Sequence, residues 1–123
     1  MGVFMKLINS NEIIIKKSRF LGYYYELDSP DEVFLILEIL RKSNKKARHF
    51  PYAYIFQGSA KKSDDKEPNG TAGLPIYTVL ERKKINNGLI VVIRYFGGIK
   101  LGAGGLFRAY METASKVVDI KKD

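Results

Sequence analysis

The chain of 123 residues contains no cysteine and no tryptophan, one histidine and four prolines. Without cysteine there is no disulfide, thiolate metal site or cysteine nucleophile, and a reducing, cytoplasmic setting is expected. A single histidine excludes a site with several histidine ligands. Because no apolar run approaches 18 residues, the sequence predicts no membrane-spanning helix and no membrane partner. The length and the 46% of apolar residues indicate one globular domain over residues 1–123.

Charge is the first feature that indicates a partner. The net charge is +8 and is unevenly distributed. Residues 1–40 carry six acidic and four basic side chains, whereas residues 41–123 carry seven and seventeen. A basic field of this size favours polyanions such as nucleic acid, acidic protein surfaces or phosphorylated ligands, although solubility alone also explains it.

The residue pattern predicts seven elements in the order β-β-α-β-α-β-α, which indicates an α/β (α+β) two-layer sandwich. The first helix has a capping box, in which Ser29 caps and Glu32 completes the motif. Residues 89–93 are continuously apolar, which is typical of a central strand buried on both faces. Residues 58–72 are predicted to be a loop. The predicted strands are 11–17, 19–27, 49–57 and 89–93, and the predicted helices are 29–46, 73–85 and 105–118.

The strongest local signal is the glycine-rich stretch RYFGGIKLGAGG at residues 94–105, with five glycines in its last nine residues. It leads from the predicted central strand into a helix that has no Ser, Thr, Asp or Asn to cap it. Uncapped N–H groups and the helix dipole favour an anion at such a point, although the glycines also permit tight packing and positive φ. The candidate phosphate- or anion-binding residues are Arg94, Tyr95, Gly97, Gly98, Lys100, Gly102, Gly104, Gly105 and Arg108.

The second signal is an acidic loop that contains Asp64, Asp65 and Glu67 and continues through Gly70 and Thr71. Three carboxylates within four residues are candidate ligands for Mg²⁺, the one cofactor that the sequence suggests. They also suit capping of the next helix or a solvated turn, and these roles are favoured over metal binding.

The only histidine, His49, is a candidate general acid or base, or a structural residue at the start of a strand. It follows a basic patch formed by Arg41, Lys42, Lys45, Lys46 and Arg48. The aromatic residues Phe50, Tyr52, Tyr54 and Phe56 then alternate along one face of the predicted strand. Cations beside aromatic residues are typical of single-stranded nucleic-acid binding, but an aromatic face is more often core.

Four stretches together resemble the N-terminal domain of the YigZ/Impact family. They are Lys17-Ser18-Arg19-Phe20, Ala47-Arg48-His49 with Tyr52-Ala53-Tyr54, the acidic loop through Gly73, and the long stretch RYFGGIKLGAGGLFRAY at residues 94–110. The likeness covers about residues 10–118. Lys66 departs from the glycine that the family usually has, and Asn69 stands where Ser or Gly is commoner. Bacterial members usually continue into a ferredoxin-like C-terminal domain, whereas this chain stops before one.

The resemblance implies the fold shared by the second domain of a ribosomal small-subunit protein and by GHMP-type kinases. It also implies a link to translation regulation and, for bacterial members, nucleic-acid binding. We therefore expect a cytoplasmic binding module for RNA or another phosphate-bearing partner, with a protein of the translation apparatus as a further expected partner. Two alternatives remain open: an enzyme that acts on a small phosphorylated substrate through His49, Asp64, Asp65 and Glu67, and a protein–protein interaction domain. The residues favour binding over catalysis.

Overall fold

The computed structural model describes residues 5–120, and these residues form five strands and three helices. The strands other than β4 alternate or are largely apolar, and each helix has one apolar face, as the sequence pattern predicts. In chain order the elements are β1 (Lys6–Ile15), β2 (Ser18–Glu26), α1 (Glu32–Ser43), β3 (Tyr52–Phe56), β4 (Ser59–Ser63), α2 (Gly73–Arg82), β5 (Gly88–Tyr95) and α3 (Gly102–Val118).

The five strands form one sheet in the order β1-β2-β5-β3-β4, and every neighbouring pair is antiparallel. β5 lies at the centre, and all its residues except the last, Tyr95, are buried. Its side chains alternate between two cores: Leu89, Val91 and Ile93 face α1, whereas Ile90 and Val92 face α2 and α3. The central position that the continuous apolar run predicted is therefore confirmed.

The mixed α/β class and the order of the seven predicted elements are present, but two features differ from expectation. Helices cover both faces of the sheet, whereas a two-layer sandwich has them on one face only. In addition, the predicted loop over residues 58–72 is wrong for Ser59–Ser63, which pair with β3 as the edge strand β4. The sequence did not reveal β4 because four of its five residues are exposed and none forms an apolar alternation.

α1 begins at Glu32 with Asp31 as its N-cap, so the start predicted at Ser29 is three residues too early, although Ser29 and Glu32 make contacts like those of a capping box. The carboxylate of Glu32 accepts hydrogen bonds from the backbone N–H groups of Asp28 and Ser29, at 2.6 and 3.0 Å. The Ser29 hydroxyl accepts one from the N–H of Asp31. These bonds fix the connection between β2 and α1.

The aromatic residues near β3 belong to the core between the sheet and α1. Phe50 is buried, and Tyr52, Tyr54 and Phe56 are partly buried against the same cluster. They do not form an open stacking platform for bases. Over residues 5–120, no helix is long and apolar enough to cross a membrane.

Candidate functional site

A buried polar cluster lies between β2, β5, the acidic loop and α3. The Arg94 guanidinium donates through one nitrogen to both oxygens of Glu67, at 3.1 and 3.0 Å. Its other terminal nitrogen donates to the Ser18 hydroxyl at 3.4 Å, and the Tyr110 hydroxyl donates to Glu67. Arg94 and Glu67 are 5% and 7% exposed, so this ion pair is shielded from water. Ser18, Glu67, Arg94 and Tyr110 are called the floor cluster below.

Aromatic packing and burial fix the protonation of Tyr110. Its ring meets Phe20 edge to face, with centroids 5.3 Å apart. Burial, followed by the adjacent Glu67 carboxylate, raises the pKa of Tyr110 well above its ordinary value. The hydroxyl therefore keeps its proton and remains a donor to Glu67.

His49 lies beside this cluster with its tautomer determined by its neighbours. Its Nδ1 is 2.9 Å from the backbone oxygen of Asp65, which can only accept, so Nδ1 carries the hydrogen. Its Nε2 is 3.5 Å from Glu67 Oε1. The backbone of His49 also pairs with Arg94 in an isolated antiparallel bridge. The ring is thereby held with Nε2 next to a buried carboxylate.

An open pocket of about 420 Å³ covers this cluster, a volume typical of small-molecule sites. The buried or half-buried polar residues of the lining form its floor: His49, Glu67 and Arg94. Apolar side chains form its walls: Pro68, Phe96, Leu101 and Leu106. Two exposed cations line it, Arg48 and Lys100, and it reaches the first turn of α3 at Gly102 and Ala103.

Glycine is required at two points of the segment that joins β5 to α3. A Cβ on Gly97 would lie 2.1 Å from the carbonyl of Lys17, so the segment can lie against the β1–β2 turn only with glycine there. The N–H of Gly97 donates to Ser18, which connects the segment to the floor cluster. Gly102, at φ +72°, starts α3 in the left-handed region. Among the residues that the structure describes, no side chain caps the start of α3, as the sequence predicted.

The three carboxylates of the acidic loop have separate partners and do not converge on one point, which contradicts their interpretation as an Mg²⁺ site. Asp64 accepts three backbone N–H bonds, from Gly70, Ala72 and Gly73, and so caps α2. Burial would raise the pKa of Asp64, but these three donors outweigh it and hold the pKa below its ordinary value. Within residues 5–120, no cluster of three potential metal ligands exists.

Asp65, Gly70 and Thr71 shape the loop and do not line the pocket. The carboxylate of Asp65 accepts from the N–H of Phe50 at 2.7 Å and lies 3.5 Å from Arg41. Gly70 has φ +78°, and the Thr71 hydroxyl donates to the carbonyl of Pro68 at 2.6 Å. Only Glu67 of the three predicted carboxylates lines the pocket.

Part of the predicted anion site lies elsewhere. Tyr95 packs against the α1 side of the sheet and its hydroxyl donates to Asn44. Arg108 lines a second depression, together with Lys16, Gly105 and Glu112. Gly104 lies in the first turn of α3 beneath the Arg108 side chain, and Gly98 lies in the connecting segment at φ +90°. Lys100 and Gly102 remain at the pocket, and Arg94 contributes to its floor.

Of the five residues of the predicted basic patch, one lies at the pocket and four lie elsewhere. Arg41 stacks on Phe50 with its guanidinium 4.8 Å from the ring centre, and Lys42 pairs with Glu38 at 3.2 Å. Lys45 and Lys46 are exposed in the turn after α1. Arg48 alone lines the pocket, where its guanidinium lies 5.0 Å from the ring centre of Phe96.

Sequence reasoning did not assign a role to Ser18, Phe20 and Tyr110. A signal was present, because all three lie in the stretches that carry the family resemblance. Ser18 and Phe20 belong to Lys17–Phe20, and Tyr110 ends the stretch that starts at Arg94. Residues of the two stretches meet in the folded chain in one buried cluster.

Comparison with known proteins finds one family, both by its family model and by individual relatives. The model of the Impact N-terminal domain matches residues 16–118. The IMPACT family member YvyE of Bacillus subtilis is 39% identical over 115 residues, which cover 91% of this chain and 53% of that protein. The IMPACT family member YigZ of Escherichia coli is 38% identical over 101 residues, which cover 78% and 50%. The chain spans about half the length of the curated relatives it matches.

Two solved structures share the fold. A crystal structure of a hypothetical protein aligns with a TM-score of 0.84 at 31% identity and covers 95% of this chain and 61% of that one. The structure of the two-domain translational regulator Yih1 aligns with a TM-score of 0.55 at 26% identity, covering 96% and 48%. The predicted α/β fold class and the predicted resemblance are thus confirmed.

Proposed function

Because this chain belongs to the Impact N-terminal domain family, we propose that it is a cytoplasmic binding module for RNA or another phosphate-bearing partner, acting in translation regulation. The link to translation rests on the relative described as a translational regulator. A protein of the translation apparatus is a further partner under this proposal. The phosphate-binding surface is the pocket at the start of α3.

The observation that carries the proposal is the pairing of charges around the pocket. Arg94 and Glu67 neutralise each other in the floor. By contrast, Arg48 and Lys100 have no carboxylate within 4.0 Å among residues 5–120. Two exposed cations beside an uncapped helix start form an electropositive pocket, and phosphate is the anion that such an arrangement commonly binds.

A titration of fluorescent single-stranded RNA at several salt concentrations tests this proposal. Phosphate contacts require log K to fall linearly with log salt concentration. Replacing Arg48 by Ala should weaken binding and reduce that slope by about 1. Arg82→Ala is the matched control, since it removes the same charge from the last turn of α2, outside the pocket. An affinity that does not change with salt would contradict the proposal.

One specific observation favours a second candidate function, an enzyme that acts on a small phosphorylated substrate. His49, Glu67 and the glycine-rich segment, which are far apart in sequence, line the same pocket. His49 Nε2 can take a proton from a bound molecule while Glu67, 3.5 Å away, stabilises the resulting imidazolium. Asp64 and Asp65 have no part in this enzyme candidate, because their carboxylates accept hydrogen bonds from backbone N–H groups away from the pocket.

Phosphate release from a panel of nucleoside phosphates, followed by ³¹P NMR, tests the second candidate. The expected result is turnover that His49→Gln abolishes while the variant still binds ligand, because only proton transfer is removed. Turnover that survives in His49→Gln would contradict the assigned role of His49. If the wild type converts none of the panel, the enzyme candidate fails and the binding proposal is unaffected.

A further inference from the structure

The pocket at the start of α3 has a closed floor, which restricts how a phosphate-bearing chain can enter. Glu67, Arg94 and Leu106 are at most 7% exposed and form the buried end of the lining. A phosphate inside a continuous chain would need both flanking nucleotides to turn back out through the same opening. A terminal phosphate needs room for only one connection, which fits a bounded pocket.

The charge around the pocket matches a dianion. Arg48 and Lys100 contribute two positive charges that no carboxylate of the described residues offsets, and the start of α3 adds roughly half a charge. Arg94 and Glu67 cancel each other. A phosphomonoester carries about −1.5 to −2 at pH 7, whereas a phosphodiester carries a single negative charge. The monoester therefore neutralises the pocket more completely.

An unpartnered polar atom provides a second, independent indication of a ligand. Among residues 5–120, the Arg94 Nε is the one buried side-chain nitrogen or oxygen without a hydrogen-bond partner. Arg94 is 5% exposed and lines the pocket. Buried donors are nearly always paired, so an acceptor from outside the chain is expected there. An oxygen of a ligand drawn down to the floor would supply it.

The apolar walls determine what the phosphate is attached to. Phe96 is half-buried, and the guanidinium groups of Arg48 and Arg94 lie over its ring, 5.0 and 5.5 Å from the ring centre. The Arg48 guanidinium is exposed and presents its plane to the pocket, and Pro68 and Leu101 complete the walls. A flat base can pack on an Arg plane while its phosphate lies between the cations and the floor. An extended peptide offers no such planar group next to its phosphate, apart from phosphotyrosine.

From these observations, and resting on the proposed function, we infer that the pocket binds the terminal phosphomonoester of an RNA strand together with its end nucleotide. The phosphate lies between the exposed cations Arg48 and Lys100 and the floor, with one oxygen towards the Arg94 Nε, and the base packs on the Arg48 guanidinium beside Phe96. The rest of the strand leaves the pocket towards solvent. A free nucleoside monophosphate shares this chemistry and therefore competes for the site.

The test compares three single-stranded RNAs of one sequence: 5′-phosphorylated, 3′-phosphorylated and unphosphorylated, with the dye attached away from the end under test. We expect at least one of the two phosphorylated RNAs to bind about tenfold or more tightly than the unphosphorylated RNA. The unphosphorylated RNA lacks the charge-assisted hydrogen bonds that the terminal phosphate makes. Adenosine monophosphate should compete. Lys100→Ala should remove the preference, whereas Lys61→Ala, which removes the same charge from the exposed edge strand β4, should keep it.

The outcomes separate this inference from the proposed function. Equal, salt-dependent binding of all three RNAs would overturn the terminal-phosphate inference and leave the RNA-binding module standing. Failure of every RNA to bind at low salt would overturn both. A phosphotyrosine peptide that displaces the RNA more effectively than adenosine monophosphate would overturn the assignment to a nucleotide. Circular dichroism of both lysine variants checks that each retains the fold.

Discussion

The floor and the opening of the pocket both contain cationic side chains, but these differ in burial and in ion pairing. In the floor, Arg94 is 5% exposed, and its guanidinium pairs with Glu67 and donates to Ser18. At the opening, Arg48 and Lys100 are exposed, and neither has a carboxylate partner among residues 5–120. The floor pair orders the acidic loop and α3 around the site, whereas the exposed cations remain available to a ligand. Cationic side chains thus stabilise the fold in the floor and, under the proposed function, bind a ligand at the opening.

The largest effect is expected when the floor pair is broken. Glu67→Gln keeps the shape of the side chain but leaves the buried Arg94 charge without its counterion. We expect the free energy of unfolding to fall by about 3–5 kcal/mol, measured by urea denaturation, because an unpaired buried charge is strongly destabilising.

The matched control for that substitution is Glu38→Gln, which breaks the exposed pair with Lys42 on α1. Its effect should stay within about 0.5 kcal/mol, since such surface pairs contribute little. If Glu67→Gln cost no more than Glu38→Gln, the floor cluster would not be what holds the acidic loop in place.

The next effect concerns Asp64, which caps α2 and fixes the loop that presents Glu67. Asp64→Ala should lower the free energy of unfolding by about 1–2 kcal/mol at pH 7, because three N–H donors lose their acceptor. The folded-state pKa of Asp64 lies below its ordinary value of 3.8. Its contribution is therefore present above that value and is lost as the pH falls through the folded-state pKa.

Urea denaturation at pH 7 and at pH 3 tests the Asp64 prediction. The difference between wild type and Asp64→Ala should be smaller at pH 3 than at pH 7. Asn69→Ala, which changes an exposed residue of the same loop and removes no ionisable group, is the control and should show no such pH dependence. A difference that grows on acidification would contradict the role assigned to the Asp64 carboxylate.

A smaller effect of opposite sign is expected at Lys66, directly before Glu67. Lys66 has φ +70°, in the left-handed region that disfavours residues with a Cβ and that glycine adopts freely. Lys66→Gly should raise the free energy of unfolding by up to about 1 kcal/mol in urea denaturation. Lys61→Gly, within β4, should instead lower it by about 0.5–1 kcal/mol. Destabilisation by Lys66→Gly would mean that the lysine makes a stabilising contact.

Sequence alone predicted those parts of the fold that local pattern controls. The run 89–93 is buried on both faces, so its apolar character shows directly in the sequence, and the capping box at Ser29 and Glu32 is a local motif. β4 left no such signal because its pairing with β3 is made by backbone atoms of exposed residues. The helical cover on both faces depends on where α1 packs, and the sequence pattern does not encode that.

The candidate site was only partly predictable for the same reason. The uncapped start of α3 and the cation Lys100 are local features, and both were predicted. The partner of Glu67 is not local: Arg94 lies 27 residues further along the chain, and without that contact three neighbouring carboxylates resemble a metal site. Arg108 was grouped with Lys100 by proximity in sequence, although the helix directs it to a different depression.

The smallest stability effect is expected at the opening of the pocket. Lys100 is exposed, and its ammonium has no carboxylate partner in the described part of the chain, so Lys100→Ala should change the free energy of unfolding by no more than about 0.5 kcal/mol. Removing one of the two positive charges at the opening also reduces their mutual repulsion, and this effect raises the free energy of unfolding. Urea denaturation alongside Glu67→Gln measures the contrast directly. A loss above about 1 kcal/mol would place Lys100 with the structural residues of the floor and remove it from the proposed ligand-binding surface.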